Sequence, residues 1–274
     1  MIYDLENEFL KLGVNTVGAE MTYVNSAKTA KEFLWKGDPS IWGNHAPVLF
    51  PIVGGLKENT YFYGGQQYTL PRHGFVRNND KVKLLTMDER QITLELQSDE
   101  ATLKVYPFHF NFQIQYKLNQ NRIDIVHYVT NTGTDDMLFS IGAHPAFNCP
   151  IEEGKKYEDY FLEFEFPENE STYLLSKEGL VQNKTKSLLE NSRQLHLNDH
   201  IFDDDALIFK HLKSRKVVLK SNGSPSQIEV DYPHFPYLGI WAKPHAPFVC
   251  IEPWLGIADR EDTDMQLKNK EGIL

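Results

Sequence analysis

Three titratable residues of this chain occur in local sequences that suit proton transfer. His73 lies in the string PRHGFVR, His144 in IGAHPAF and Glu252 in FVCIEPWLG, so each has apolar or small neighbours. Partial removal from water would raise the pKa of Glu252 above its ordinary value of about 4.3. Taken singly, either histidine could serve only to hold a turn, and the glutamate only to pair with a buried arginine. Three such residues together favour a functional site.

A carboxylate and an imidazole of different pKa can act as general base and general acid near neutral pH. A cyclic sugar hemiacetal needs both, because ring opening removes the anomeric hydroxyl proton and protonates the ring oxygen. Rotation about the first carbon–carbon bond and reclosure then give the other anomer without a cofactor. Aromatic residues such as Phe147 and Trp254 suit the apolar faces of a sugar. A glycoside hydrolase or a lyase could use similar groups, although no second acid is placed as clearly as Glu252.

The same three residues include the donor atoms of a His₂Glu zinc site. Dedicated zinc sites usually place two ligands close together on one element. Here 71 residues separate His73 from His144, and 108 separate His144 from Glu252. The spacing therefore favours acid–base chemistry, and we predict neither a metal nor any other cofactor.

The composition of the chain excludes several classes of function. Its 28 Lys and Arg residues stand against 38 Asp and Glu residues, and the net charge of −10 disfavours nucleic acid and anionic membranes as partners. No apolar run approaches the roughly 18–20 residues of a spanning helix, and the acidic N-terminus is unlike a signal peptide. Cys149 and Cys250 are too few for a disulfide framework, and no nucleotide-binding or serine-hydrolase motif is present. We expect a soluble cytoplasmic protein, a monomer or weak homodimer, that binds a small molecule.

The scaffold that must position these residues is predicted to be rich in β-sheet. Aromatic residues make up 12% of the chain, which favours strands over helices. Apolar and polar residues alternate in several windows that turn-forming residues separate. The windows are residues 91–97, 110–118, 123–129, 216–220 and 227–231. Because the chain shows neither a linker nor a repeat, we predict one all-β domain over residues 1–274, a large sandwich or barrel.

Four short strings occur in an order that is typical of one family. They are PVLFP at residues 47–51, HGFVR at 73–77, GAHPAF at 142–147 and CIEPW at 250–254. With these strings the chain resembles the aldose 1-epimerase (galactose mutarotase) superfamily, and most of all its LacX-type bacterial branch. The resemblance runs from about residue 10 to the C-terminus. It implies a single β-sandwich domain, the galactose mutarotase-like supersandwich, with the active site on its concave face.

The resemblance also implies a role for each site residue. Glu252 matches the catalytic base, His144 the general acid that protonates the ring oxygen, and His73 the second histidine, which binds substrate. The family carries an aspartate that holds sugar hydroxyls, and Asp205, directly before Ala-Leu, is a better match than Asp204. On a purely structural interpretation, these acids form a solvated turn.

The activity implied is that of an aldose 1-epimerase, an isomerase of carbohydrate metabolism that interconverts the α and β anomers of a free hexose. Two alternatives stay open. Hexose-6-phosphate mutarotases share the HGF-x-R string, so Arg77 could face an anion instead of orienting a neutral sugar. A non-catalytic sugar-binding or sensing protein is the other alternative, because only Lys57 occurs where galactose mutarotases carry a substrate-binding arginine. The sequence assigns no role to Cys149 or Cys250.

Overall fold

Antiparallel β-strands make up most of the regular structure, as the alternating sequence predicts. The computed structural model describes residues 1–274 and contains nineteen strands. In chain order they are β1 (Ile2–Glu6), β2 (Leu10–Asn15), β3 (Glu20–Ser26), β4 (Val48–Leu49), β5 (Thr60–Tyr63), β6 (Gln66–Thr69), β7 (Lys83–Met87), β8 (Gln91–Gln97), β9 (Phe110–Asn119), β10 (Arg122–Asn131), β11 (Ile141–Ala143), β12 (Ala146–Asn148), β13 (Tyr160–Leu175), β14 (Val181–His196), β15 (Leu207–Phe209), β16 (Lys216–Ser221), β17 (Ile228–Asp231), β18 (Tyr237–Trp241) and β19 (Phe248–Leu255).

Helical structure is confined to short segments. The one α-helix is α1 (Glu100–Val105), and the Asp99 side chain caps it by accepting hydrogen bonds from the backbone N–H groups of Ala101 and Thr102. The 3₁₀ segments are Val17–Ala19, Lys57–Asn59, Val76–Asn78, Tyr157–Asp159 and Leu267–Asn269. None of the helices is both long enough and apolar enough to cross a membrane.

The strands form four sheets of very different size. The largest has ten strands in the order β17-β16-β13-β15-β18-β19-β11-β4, with β12 paired to β19 and β14 paired to β13. A four-stranded sheet has the order β10-β9-β8-β7, a three-stranded sheet the order β1-β2-β3, and β5 pairs with β6. Two of the predicted alternating windows are β8 and β9, and the five apolar residues of the second window are all buried.

Two large hydrophobic clusters form the core. One has 29 buried residues and includes both Leu5 and Leu267, so it joins distant parts of the chain. The other has 25 and includes Phe248 and Ile251 of β19. Seven of the eight residues of β19 are buried. This strand is therefore covered on both faces, as in an interior strand of a layered sheet.

Two glycines make room for a tryptophan on the central strands of the large sheet. Gly142 of β11 lies opposite Trp254 of β19, and Gly239 of β18 lies opposite Glu252. A Cβ atom on Gly239 would lie 2.3 Å from the Trp254 ring, and one on Gly142 would lie 2.7 Å from it. The indole therefore packs directly over the backbone of both neighbouring strands.

We predict that Gly239→Ala destabilises the protein by about 1–3 kcal/mol, because the new methyl group overlaps the Trp254 ring in a fully packed layer. Urea unfolding followed by tryptophan fluorescence would measure the change. Gly133→Ala is the matched control, since its Cβ would come no closer than 3.4 Å to any neighbour. Equal unfolding free energies for the two variants would contradict this packing argument.

Candidate active site

Strand β19 and the residue that follows β11 bring an acid and an imidazole into contact. Side chains alternate along a strand, so Cys250, Glu252 and Trp254 share one face of β19. His144 directly follows β11, which pairs with β19, and its backbone N–H donates to the carbonyl of Pro47 over 3.1 Å. His144 Nε2 consequently lies 3.2 Å from Glu252 Oε2. The structure thus joins two residues that are 108 positions apart in the sequence.

Burial shifts the protonation of both partners toward the neutral forms. Glu252 is 1% exposed and His144 is 9% exposed. Burial raises the pKa of Glu252 well above its ordinary value, the nearby Trp254 indole opposes this shift, and the charge of Asp205 adds to it. Burial lowers the pKa of His144 to about 3. Over a wide range of pH the pair therefore holds one proton between its two members.

His73 is held in one tautomer by the turn on which it lies. Its backbone N–H donates to the Gly54 carbonyl over 2.8 Å, and the Gly54 N–H donates to His73 Nδ1 over 3.1 Å. Burial, together with the nearby positive charge of Arg77, lowers the pKa of His73 well below its ordinary value. A neutral ring that accepts at Nδ1 carries its proton on Nε2. The ring stands perpendicular to that of His144, with the two centroids 5.6 Å apart.

Two tryptophans that sequence reasoning did not single out form the walls around His144. Trp42 stacks on the imidazole with centroids 5.2 Å apart, and Trp241 meets it edge-on at 5.8 Å. Trp42 lies in a loop without any motif, whereas Trp241 ends β18 opposite Cys250. Of the two aromatic residues named from the sequence, Trp254 lies beside Glu252. Phe147 packs against both core clusters.

The remaining site residues named from the sequence lie around this pair without direct contact to it. Arg77 is partly buried and makes neither a hydrogen bond nor an ion pair with its side chain. Asp205 is exposed, and its carboxylate accepts a hydrogen bond from the N–H of Ala206 over 2.8 Å. Asp204 instead forms an ion pair with Lys186 over 2.9 Å. The guanidinium of Arg77 and the carboxylate of Asp205 are therefore charged groups close to the pair that a ligand could contact.

Lys57 occurs where galactose mutarotases carry a substrate-binding arginine, but its side chain binds another loop of the protein. Its ammonium group donates to the Glu261 carbonyl over 2.8 Å. Its backbone N–H donates to the Asp259 carboxylate over 3.0 Å. The Lys57 side chain thus ties two loops together.

Polar atoms without partners concentrate at this site. Six buried side-chain N or O atoms of the chain make no hydrogen bond, and three of them are His144 Nδ1, Glu252 Oε2 and Trp254 Nε1. The close approach of His144 and Glu252 does not have hydrogen-bond geometry. Because leaving buried polar groups unpaired is unfavourable, such a concentration indicates a place that a polar ligand completes.

Comparisons with known proteins agree with one another. The family model described as aldose 1-epimerase matches residues 1–268. The plasmid-encoded protein LacX of Lactococcus lactis subsp. lactis is 37% identical over 282 residues, which cover 100% of this chain and 94% of LacX. The chromosomal LacX of the same organism has the same identity and coverage.

Solved structures confirm the predicted class of fold. A galactose mutarotase related enzyme from Lactobacillus acidophilus is 38% identical, with a TM-score of 0.93 over 100% of this chain and 92% of that one. A galactose mutarotase-like protein from Lactobacillus casei ATCC 334 is 27% identical, with a TM-score of 0.93 over 100% and 94%. The fold is an all-β sandwich of the galactose mutarotase-like type.

We predict that neither the His73 nor the His144 ring titrates near pH ~6.5, because burial lowers both pKa values. In ¹⁵N spectra, Nδ1 of His73 should have the shift of an unprotonated acceptor and Nε2 that of a protonated nitrogen. His73→Asn and His144→Asn would supply the assignments. A proton on His73 Nδ1, or protonation of either ring near neutral pH, would contradict the geometry described above.

Proposed function

The chain belongs to the aldose 1-epimerase family, and on that premise we propose that it interconverts the α and β anomers of a free hexose by general base–general acid ring opening. The observation that carries this proposal is the buried contact between His144 and Glu252, which leaves polar atoms of both residues free for a ligand. A group that takes a proton and a group that gives one must both lie within reach of the same sugar carbon.

The proposed reaction starts from the form of the pair in which the proton is on His144 and Glu252 is ionised. Burial disfavours this form in the free protein, and hydrogen bonds from a bound sugar would favour it. Glu252 accepts the proton of the anomeric hydroxyl, and His144 donates its proton to the ring oxygen as the bond between that oxygen and the anomeric carbon breaks. The product is the open-chain aldehyde, and the pair again holds one proton. After rotation about the first carbon–carbon bond, the two residues act in reverse and the other anomer forms.

His73, Arg77 and Asp205 are proposed to orient the sugar. The Nε2–H of His73 is free to donate, because Nδ1 already accepts from Gly54. The unpaired guanidinium of Arg77 offers several donors in a fixed plane. Asp205 offers a carboxylate that can accept from sugar hydroxyls. Donors and an acceptor close to the pair support a polar substrate that carries hydroxyl groups.

A phosphorylated hexose is the second candidate substrate, and the observation that favours it is the unpaired side chain of Arg77. Guanidinium groups bind phosphate through paired hydrogen bonds. A substrate phosphate would therefore find a donor here that no residue of the chain occupies. The two substrates differ in an easily measured way, since activity on the free hexose and on its phosphate can be compared directly.

We also propose that residues 1–274 act as one aldose 1-epimerase-like domain. The large hydrophobic cluster that contains both Leu5 and Leu267 supports this. The cytoplasmic location and the monomeric or weakly dimeric state stay predictions from the sequence.

Replacement of either member of the pair should remove catalysis without unfolding the protein. We expect Glu252→Gln to abolish turnover and His144→Asn to lower it at least about 10²-fold, because each loses one proton-transfer group. Two-dimensional exchange NMR on anomeric protons would measure the rate for glucose, galactose, pentoses and glucose 6-phosphate. Asp204→Asn is the control acid-to-amide change, since its carboxylate is engaged with Lys186.

Unchanged turnover in Glu252→Gln or His144→Asn would remove that residue from the mechanism. The second outcome to consider is a folded wild-type protein that accelerates anomer exchange for none of these sugars. If one of the sugars nevertheless stabilised it against unfolding, the protein would be a sugar-binding or sensing protein instead.

The rate should be nearly independent of pH from neutral pH down to well below the ordinary histidine pKa of about 6.5. The pair gains a second proton only in acid, because burial lowers the pKa of His144 to about 3, and burial raises the pKa of Glu252 well above its ordinary value. Trp42→Leu admits water to His144 and raises its pKa, so the acid limb of kcat/KM should move to higher pH. A wild-type limb near pH ~6.5 would contradict the one-proton pair.

A further inference from the structure

A third side chain with metal-binding chemistry lies beside the proposed acid and base. Cys250 precedes Glu252 by two residues on β19, so both side chains lie on the same face of the strand. Cys250 Sγ, a ring nitrogen of His144 and a carboxylate oxygen of Glu252 all lie within 4.8 Å of one another. The thiol is free and fully buried, and the proposed ring opening does not use it.

These donors differ from the His₂Glu set considered from the sequence. His73 Nδ1 is occupied by the Gly54 N–H, and Cys250 rather than His73 joins His144 and Glu252 in the compact group. A thiolate, an imidazole and a carboxylate are all ordinary zinc ligands. The group also contains Glu252 Oε2, an atom that is buried and has no hydrogen-bond partner.

The distance between the His144 nitrogen and the Glu252 oxygen fits tetrahedral coordination of zinc. Zinc bonds of about 2.0–2.1 Å to nitrogen and oxygen place these two atoms about 3.3 Å apart in a tetrahedron. His144 Nε2 and Glu252 Oε2 are already 3.2 Å apart. Cys250 Sγ lies within 4.8 Å of donor atoms of both residues and would supply the third ligand, and the fourth position would be left to water.

The charges also balance. A divalent cation with one thiolate and one carboxylate is neutral, which reduces the cost of placing an ion in a site that excludes most water. Binding would release two protons, one from the Cys250 thiol and the one that His144 and Glu252 share. Zinc affinity should therefore increase as the pH is raised.

We propose that Zn²⁺ binds reversibly to His144, Cys250 and Glu252 and inhibits the protein by occupying its proton-transfer pair. The inhibition rests on the proposed function, whereas the binding does not. Because metal and sugar would compete for the same two side chains, the inhibition should be competitive with substrate. Cys250 makes the site sensitive to the ion without taking part in ring opening.

Binding is tested without any sugar. Calorimetric titration with Zn²⁺ should show one site and a binding heat that varies with the ionisation enthalpy of the buffer, because protons are released. Titration with Co²⁺ should give a thiolate-to-metal charge-transfer band and the visible bands of tetrahedral cobalt. Cys250→Ser should weaken Zn²⁺ binding at least about 100-fold and remove the charge-transfer band, because the sulfur ligand is lost.

Cys149→Ser is the matched control, since Cys149 is likewise free and buried but lies outside the ligand group. It should bind both metals as the wild type does, and Cys250→Ala would replace Cys250→Ser if the serine variant did not fold. A variant without the Cys250 sulfur that keeps wild-type affinity and the charge-transfer band would overturn the proposal.

Inhibition is tested separately by anomer exchange with and without Zn²⁺. Cys250→Ser should keep the basal exchange rate and lose most of its sensitivity to zinc. Cysteine-dependent zinc binding in a protein that turns over no sugar would support the metal site and count against the proposed epimerase. Zinc inhibition of equal strength in Cys250→Ser and the wild type would overturn the site while leaving the epimerase intact.

Discussion

The contact between His144 and Glu252 is the interaction on which the rest of the site depends. Each ionised group alone would be strongly disfavoured at this degree of burial, and two groups that share one proton are far less so. In the proposed ring opening, the pair gives up this proton and regains one. Burial favours the neutral form of each partner, so the proposed roles require a bound sugar to move the proton from Glu252 to His144.

The surrounding structure packs closely around that pair. Neighbouring strands β11 and β18 fix β19 on both sides, and the Trp254 indole fills the space above their glycines. A buried ion pair 2.9 Å long joins Lys270 to Asp259. The Asp259 N–H donates to the Gly55 carbonyl over 2.9 Å, next to the glycine that fixes the His73 tautomer.

The proposed function and the proposed zinc sensitivity come from the same alternation of side chains. Placing Glu252 and Trp254 on one face of β19 also places Cys250 there. Because the strand is buried on both faces, the thiol cannot turn away to solvent. The proposed zinc site therefore takes its third ligand, Cys250, from the strand that positions Glu252.

The sequence by itself determined the elements and the chemically active residue types. Period-two alternation is local, so it predicted β8 and β9, and the strings around His73, His144 and Glu252 identified three residues that the fold brings together. It did not reveal that Ile125 would be 37% exposed, because β10 becomes the edge of its sheet only through pairing. Only the tertiary structure placed Trp42 against His144 and brought His144 into buried contact with Glu252. Burial and contact depend on residues that are far apart in the chain, so the local sequence could not predict them.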